Sequence, residues 1–293
     1  MHNTQTIQKT ITTQHQNAID ALTEVCDLSK AELKSCFSKG AVWLTSGKQK
    51  PLRLRRVKKT LKLGDVIDLY YNPSVLSKQV TAPTLVLDKT QYSIWLKPRG
   101  MLSQGSKWGD FTALYRWVEM NHIFENENQS RQAWLVHRLD RATAGLQMLA
   151  HSKKMAQTLT KLFEKHQIKK RYQAMVHGQF PKDRQTYQNE IDCKPATTHV
   201  ELIQFDATLN ASQVEVEIES GRKHQIRKHL SQAGFAIVGD RLYGDETLDQ
   251  TVNPERPDLQ LTAYRLQFEC PLTLSPIDVQ LSADQLDLIP LNS

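Results

Sequence analysis

The stretch that most constrains how this chain folds lies between residues 211 and 234. Val214, Val216 and Ile218 alternate with Glu215, Glu217 and Glu219, the period of a strand with one buried face and one face in water. After Gly221, the eight residues from Arg222 to His229 hold four cations (Arg222, Lys223, Arg227, Lys228) and two histidines. Ile226, Leu230 and Ala233 fit one face of a helix that Gly234 ends. Cations at a helix start oppose its dipole, so this start calls for an anion, either a phosphate or a carboxylate from elsewhere in the chain.

Similar patterns recur without regular strand–helix–strand spacing, which predicts an α+β protein. Leu85–Leu87 and Tyr92–Leu96 predict strands, and Met155, Leu159, Leu162 and Phe163 predict an amphipathic helix. Asp110 is the expected cap of a helix carrying Leu114, Trp117 and Val118. Ahead of these, residues 18–72 form a separate small module. It has a helix with Ala31, Leu33, Cys36 and Phe37 on one face, capped by Ser29 and closed by Gly40. Eight cations and no acid follow from Lys48 to Lys62, a surface suited to tracking phosphates. Residues 1–17, rich in Gln and Thr, are expected to be a poorly ordered tail, 73–84 a linker, and 85–293 a second domain.

The 293 residues carry 38 Lys and Arg against 31 Asp and Glu, a net charge of +7 that points to an acidic partner. No apolar run approaches the about 18 residues a membrane span needs, and the start lacks signal-peptide order. Four cysteines (Cys26, Cys36, Cys193, Cys270) show no close pair, so free thiols in a reducing cytoplasm are expected rather than a disulfide framework. His224 and His229 are five apart, the wrong spacing for two ligands on one helical turn, and no metal or cofactor is expected.

Two further segments carry chemistry. In the first, Asp140 stands between Arg138 and Arg141, just after His137; flanking cations favour an ionised carboxylate able to act as nucleophile or base. In the second, Tyr172 sits on an alternating strand entered through Lys169, Lys170 and Arg171, where a ring can stack on a nucleobase. Taken alone, Asp140 also reads as a cap or surface ion-pair partner, His137 as a structural histidine and Tyr172 as core.

Together these segments resemble the signature motifs of the RluA family of pseudouridine synthases. Residues 137–145 match its His-Arg-Leu-Asp-x-x-Thr-Ser-Gly motif, with Ala144 in place of Ser. Residues 169–178 are similar to its tyrosine motif. Residues 221–244 resemble its Gly-Arg-x-His-Gln-Ile-Arg and Gly-Asp-x-x-Tyr-Gly pair, and 97–102 its early Lys-Pro-x-Gly motif. The front module is similar, more loosely, to the small RNA-binding domain named after a small-subunit ribosomal protein.

The resemblance implies a mixed, largely antiparallel central sheet with flanking helices, preceded by a small basic α/β RNA-binding domain. It implies a cofactor-free isomerisation of uridine to pseudouridine in structured RNA, ribosomal RNA ahead of transfer RNA, by a cytoplasmic monomer. It assigns Asp140 as the catalytic carboxylate, Tyr172 to the target base and Arg227 as the partner of Asp140, and has Arg138 replace the flipped base in the helical stack. His137, Arg222, His224, Lys97, Lys170, Arg53, Arg55 and Arg56 are the further expected RNA-binding residues. A second reading, a catalytically silent RNA-binding or ribosome-assembly protein on the same fold, rests on Ala144 and on the unusual stretch 103–108.

Overall fold

The computed structural model describes residues 3–13, 16–124, 129–255 and 257–291. The chain forms two compact units, one of residues 1–80 with 104–130, the other of 81–103 with 131–293.

The first unit contains β1 (Gln5–Thr10), α1 (Ala18–Thr23), α2 (Lys30–Lys39), β2 (Val42–Thr45), β3 (Leu52–Arg53), β4 (Val66–Tyr71), α3 (Pro73–Leu76) and, from its second segment, α4 (Leu114–Asn121). Its four-stranded antiparallel sheet has the order β1-β4-β2-β3. Ser29 and Glu32 close a capping box on α2, and Gly40, at φ +78°, ends it. Leu33, Cys36 and Phe37 are buried with Leu22, Ile67 and Leu69, whereas Ala31 is exposed.

Three expectations change here. The supposed tail is an edge strand: β1 pairs with β4 from Gln5↔Tyr71 to Thr10↔Val66, and Ile11 is buried; residues 1, 2, 14 and 15 lie outside the described residues. The supposed linker starts with α3, whose Leu76 joins the core. Asp110 does not cap α4, which begins after Ala113. Its buried carboxylate instead takes Arg55 Nη2 at 2.5 Å, Arg53 Nε at 3.3 Å and the Tyr115 hydroxyl at 2.8 Å. The segment from 104 onward thus folds onto the basic module. Lys107 lies 4.8 Å from the Trp108 ring centroid and 5.0 Å from that of Tyr70, and Trp43 Nε1 donates to Lys107 O.

The second unit contains β5 (Thr84–Asp88), β6 (Tyr92–Lys97), β7 (Trp134–Leu135), β8 (Ala144–Ala150), α5 (Lys153–Glu164), β9 (Lys169–His177), β10 (Gln185–Tyr187), β11 (Thr198–Asp206), β12 (Ala211–Ile218), α6 (Gln225–Gln232), α7 (Glu246–Val252), β13 (Leu261–Glu269) and β14 (Pro276–Gln280). These ten strands make one sheet of order β10-β11-β12-β9-β13-β8-β6-β5, with β14 on β13 and β7 on β8. It is antiparallel throughout except between β13 and β8. The fold is α+β, as the patterning predicted.

The two halves of this sheet meet through only two residue pairs, Thr262↔Ala144 and Ala263↔Gly145. Past Ala263, β13 turns its edge to β14, and β8 continues beside β6. Leu146, Met148, Met155, Leu159 and Phe268 fill the core of one half, while Tyr172, Val214, Val216, Ile226 and Leu230 fill the other.

Gly145 stands at the junction with φ +116°, where a Cβ would fall far inside contact distance of the Ala263 backbone. Gly145→Ala is expected to destabilise the second unit by about 3 kcal/mol, combining strain and overpacking. Gly47→Ala, at φ +57° in open space, should cost no more than about 1–2 kcal/mol. Urea unfolding of both variants checks the contrast.

Candidate active site

A cleft of about 250 Å³ opens where β8, β9, β12 and α6 converge, lined by Arg138, Asp140, Lys170, Tyr172, Arg222, His224 and Arg227 among others. Asp140, Tyr172 and Arg227, from three segments far apart in sequence, thus come together at one place.

Asp140 lies in the loop leading into β8, its side chain 21% exposed. The peptide groups on either side of it are pinned. Ser103 Oγ accepts the Leu139 N–H at 2.9 Å and donates to the Leu139 carbonyl at 2.7 Å, and Gly100 N–H donates to the Arg141 carbonyl at 2.8 Å. The Thr143 N–H closes the turn on the Asp140 carbonyl at 3.1 Å. Arg227 Nη1 stands 3.6 Å from Asp140 Oδ2, and His224 Nε2 stands 3.7 Å from Oδ1.

Arg227 is held mainly by Asp240, a residue of the late Gly-Asp motif whose role the sequence did not reveal. Nε and Nη2 make a buried two-pronged contact with its carboxylate at 2.7 and 2.6 Å, leaving Nη1 for Asp140. Asp240 Oδ1 also accepts the Leu242 and Tyr243 N–H groups. Burial raises its pKa, but Arg227 and these amides outweigh burial and hold it below the usual carboxylate range. The anion demanded by the cationic helix start is therefore Asp240 first and Asp140 second.

His224 enters α6 in a left-handed conformation, φ 56°, with Nδ1 2.9 Å from the Tyr243 hydroxyl. Burial lowers its pKa, against the pull of Asp140 and with the push of Arg227 and Lys223. Gln225 locks the preceding turn by bonding Ser220, the Arg222 N–H and Thr198. Tyr172, buried on β9, has its phenol pKa pushed up by burial and then by the Asp140 charge, so it remains an O–H donor across the physiological range. Arg138 is exposed on the rim, Arg222 donates to the Pro195 carbonyl at 3.1 Å, and Lys170 is half-buried in the wall.

Four residues expected at an RNA surface are occupied elsewhere. Lys97 is 0% exposed and donates to the Pro98 and Met101 carbonyls at 3.1 and 3.0 Å, bracing the turn whose Gly100 holds Arg141. His137 rests against Phe163, ring centroids 4.3 Å apart, and its Nε2 accepts the Met148 N–H; burial, with Lys170 nearby, lowers its pKa to about 3. Arg53 and Arg55 neutralise Asp110, and Arg53 also covers the Trp43 ring at 4.4 Å. Arg56 is exposed, as are Lys48, Lys50, Lys58, Lys59 and Lys62.

The comparisons with known proteins fall on this same region. Residues 91–232 match the family model described as RNA pseudouridylate synthase. Ribosomal large subunit pseudouridine synthase D of Neisseria meningitidis serogroup B is 26% identical over 269 residues, 84% of this chain and 69% of its own. tRNA pseudouridine synthase C of Pectobacterium carotovorum is 31% identical over 176 residues, 51% of this chain and 47% of its own. The solved structure of human RNA pseudouridylate synthase domain containing 1 matches with a TM-score of 0.53 at 20% identity, covering 74% of this chain and 99% of that one. Over residues 91–232 the chain is thus similar to RNA pseudouridine synthases, isomerases that act on RNA, and it spans about half the length of the relatives it matches at 30% identity or more.

Two outcomes follow from the buried charges. Asp240→Asn leaves Arg227 buried without its main partner and is expected to cost about 3 kcal/mol in urea unfolding. Burial lowers the pKa of Lys97 to about 7, opposed by Asp140, while in the unfolded chain it lies near 10.4. Between those values the unfolded state binds the extra proton, so stability rises with pH. Urea titrations at pH 7 and 10 should show wild type gaining stability relative to Lys97→Met; an equal response would contradict it.

Proposed function

We propose that this chain converts specific uridines of structured RNA to pseudouridine, with Asp140 as the essential carboxylate. The observation that carries this is the placement of Asp140 in the cleft, 3.6 Å from an arginine that Asp240 fixes in place, with Tyr172 in the same wall. In the reaction the bond from uracil N1 to the ribose breaks, the base turns, and C5 bonds to the same ribose carbon. The proton on C5 is given up and N1 gains one, so the atoms balance without a second substrate.

Each side chain then has a task. Arg227 Nη1 offsets the charge of Asp140 and restricts its rotation, and the protonated Tyr172 phenol meets the base and takes part in proton transfer. Arg138, exposed on the rim, fills the gap left in the helical stack, offsetting an extrusion that costs a few kcal/mol. Lys170 and Arg222 receive the backbone phosphates. His224 orders the mouth beside Asp140.

Ribosomal RNA is the favoured substrate, with transfer RNA second, because the exposed cations of the first unit, Arg56 among them, offer a phosphate-tracking surface remote in sequence from the cleft. We read the protein as a cytoplasmic monomer. Mapping pseudouridines in total RNA from a strain lacking the gene would identify the target.

Asp140→Asn is expected to lower tritium release from RNA labelled at uridine C5 by on the order of a thousandfold or more, with RNA affinity retained. Normal turnover would refute the role of Asp140. Arg138→Ala should slow the single-turnover step after binding, and an unchanged rate would remove its flipping role.

A further inference from the structure

A second cavity of the same unit, about 450 Å³, lies beside the cleft and shares Lys170, Ile218 and Arg222 with it. Of its lining, the roles assigned above use only Lys170 and Arg222. Its other walls include Phe163 and Ile168, which are apolar, and Lys169, Glu217 and Glu219. The Phe163 ring packs against His137, centroids 4.3 Å apart, and also lines this cavity.

Lys170 stands in the wall common to both cavities. Its ammonium lies 5.8 Å from the Phe163 ring centroid, it is half-buried, and it has no hydrogen-bond or ion-pair partner among the described residues. Burial lowers its pKa accordingly. A partly desolvated cation without a counter-charge is unfavourable, and a phosphodiester between the two cavities would supply one.

We propose that the second cavity receives the base of a nucleotide adjacent to the target uridine, stacked on Phe163 with the linking phosphate on Lys170. This rests on the uridine-isomerising reading of the first cleft and extends it to sequence context. Glu219 Oε1 takes His199 Nε2 at 2.8 Å and Glu217 Oε2 faces Arg171 Nε at 3.7 Å, leaving one oxygen of each to accept a hydrogen bond. Uracil offers a single N3–H between two carbonyls that a carboxylate repels, so the cavity prefers a base with an exocyclic amino group (guanine, adenine or cytosine).

The test uses the full chain and synthetic stem-loops around a mapped target uridine labelled at C5. The nucleotide on its 5′ or its 3′ side is made abasic in turn, or exchanged for each base. Phe163→Leu keeps apolar volume and removes the flat ring. One abasic position is expected to lower kcat/KM about tenfold, as loss of one stacked base does. Phe163→Leu should lower it similarly on the intact stem-loop, with no further loss when the two changes are combined, and uracil at that position should be the poorest of the four bases. Additive losses, or indifference at both neighbouring positions, would overturn the second cavity while leaving the isomerase intact. Absence of pseudouridine on every stem-loop with wild type would overturn the reading of the first cleft, and this inference with it.

Discussion

The contact on which the cleft depends is the two-pair parallel junction between β8 and β13. Ala263 pairs on one side with Gly145 and on the other with Tyr172. Three strands thus place Tyr172 two strand spacings, roughly 10 Å, from Gly145, the second residue of β8 beside the Asp140 loop. A register slip in either pairing would turn Tyr172 to the opposite face of the sheet or shift the loop. Backbone pairing therefore sets the distance between the phenol and the carboxylate. The close approach at Gly145 is the steric condition for that pairing, and Ala144, the departure from the family motif, is buried within it.

Charge completes what register begins. The cleft gathers Arg138, Lys170, Arg222, Lys223 and Arg227 around Asp140, and two of these arginines are individually held. Arg227 is held by two bonds to Asp240, Arg222 by the Pro195 carbonyl, and the helix start by the turn around Gln225. An orienting carboxylate behind an arginine leaves one nitrogen aimed forward in a fixed direction, which a flexible arginine in water lacks.

Much of this was legible in the sequence because period and capping are local. The Val214–Val216–Ile218 alternation, the Ser29 cap and the Gly40 stop each depend on neighbours within one or two turns. What escaped depended on distant partners. β1 has the Gln- and Thr-rich composition of a tail, and becomes a strand only because β4 offers it an edge. Arg53, Arg55 and Lys97 carry the charge expected of RNA ligands, yet Asp110 and two backbone carbonyls engage them, and no spacing rule links residue 53 to residue 110. Asp240 lay inside a recognised motif, but its task follows only from where α6 ends up.

The interrupted course of the first unit has an evolutionary bearing. A front module that ended at residue 80 could be exchanged among relatives as a block. Here the carboxylate that neutralises Arg53 and Arg55 is encoded some thirty residues further on, inside the span that matches the isomerase family. Recombination that swapped only the leading segment would bring in cations without Asp110, or leave Asp110 buried without cations. The two stretches that build the first unit are therefore bound to change together, and any drift around Arg53 and Arg55 must be matched by drift around Asp110.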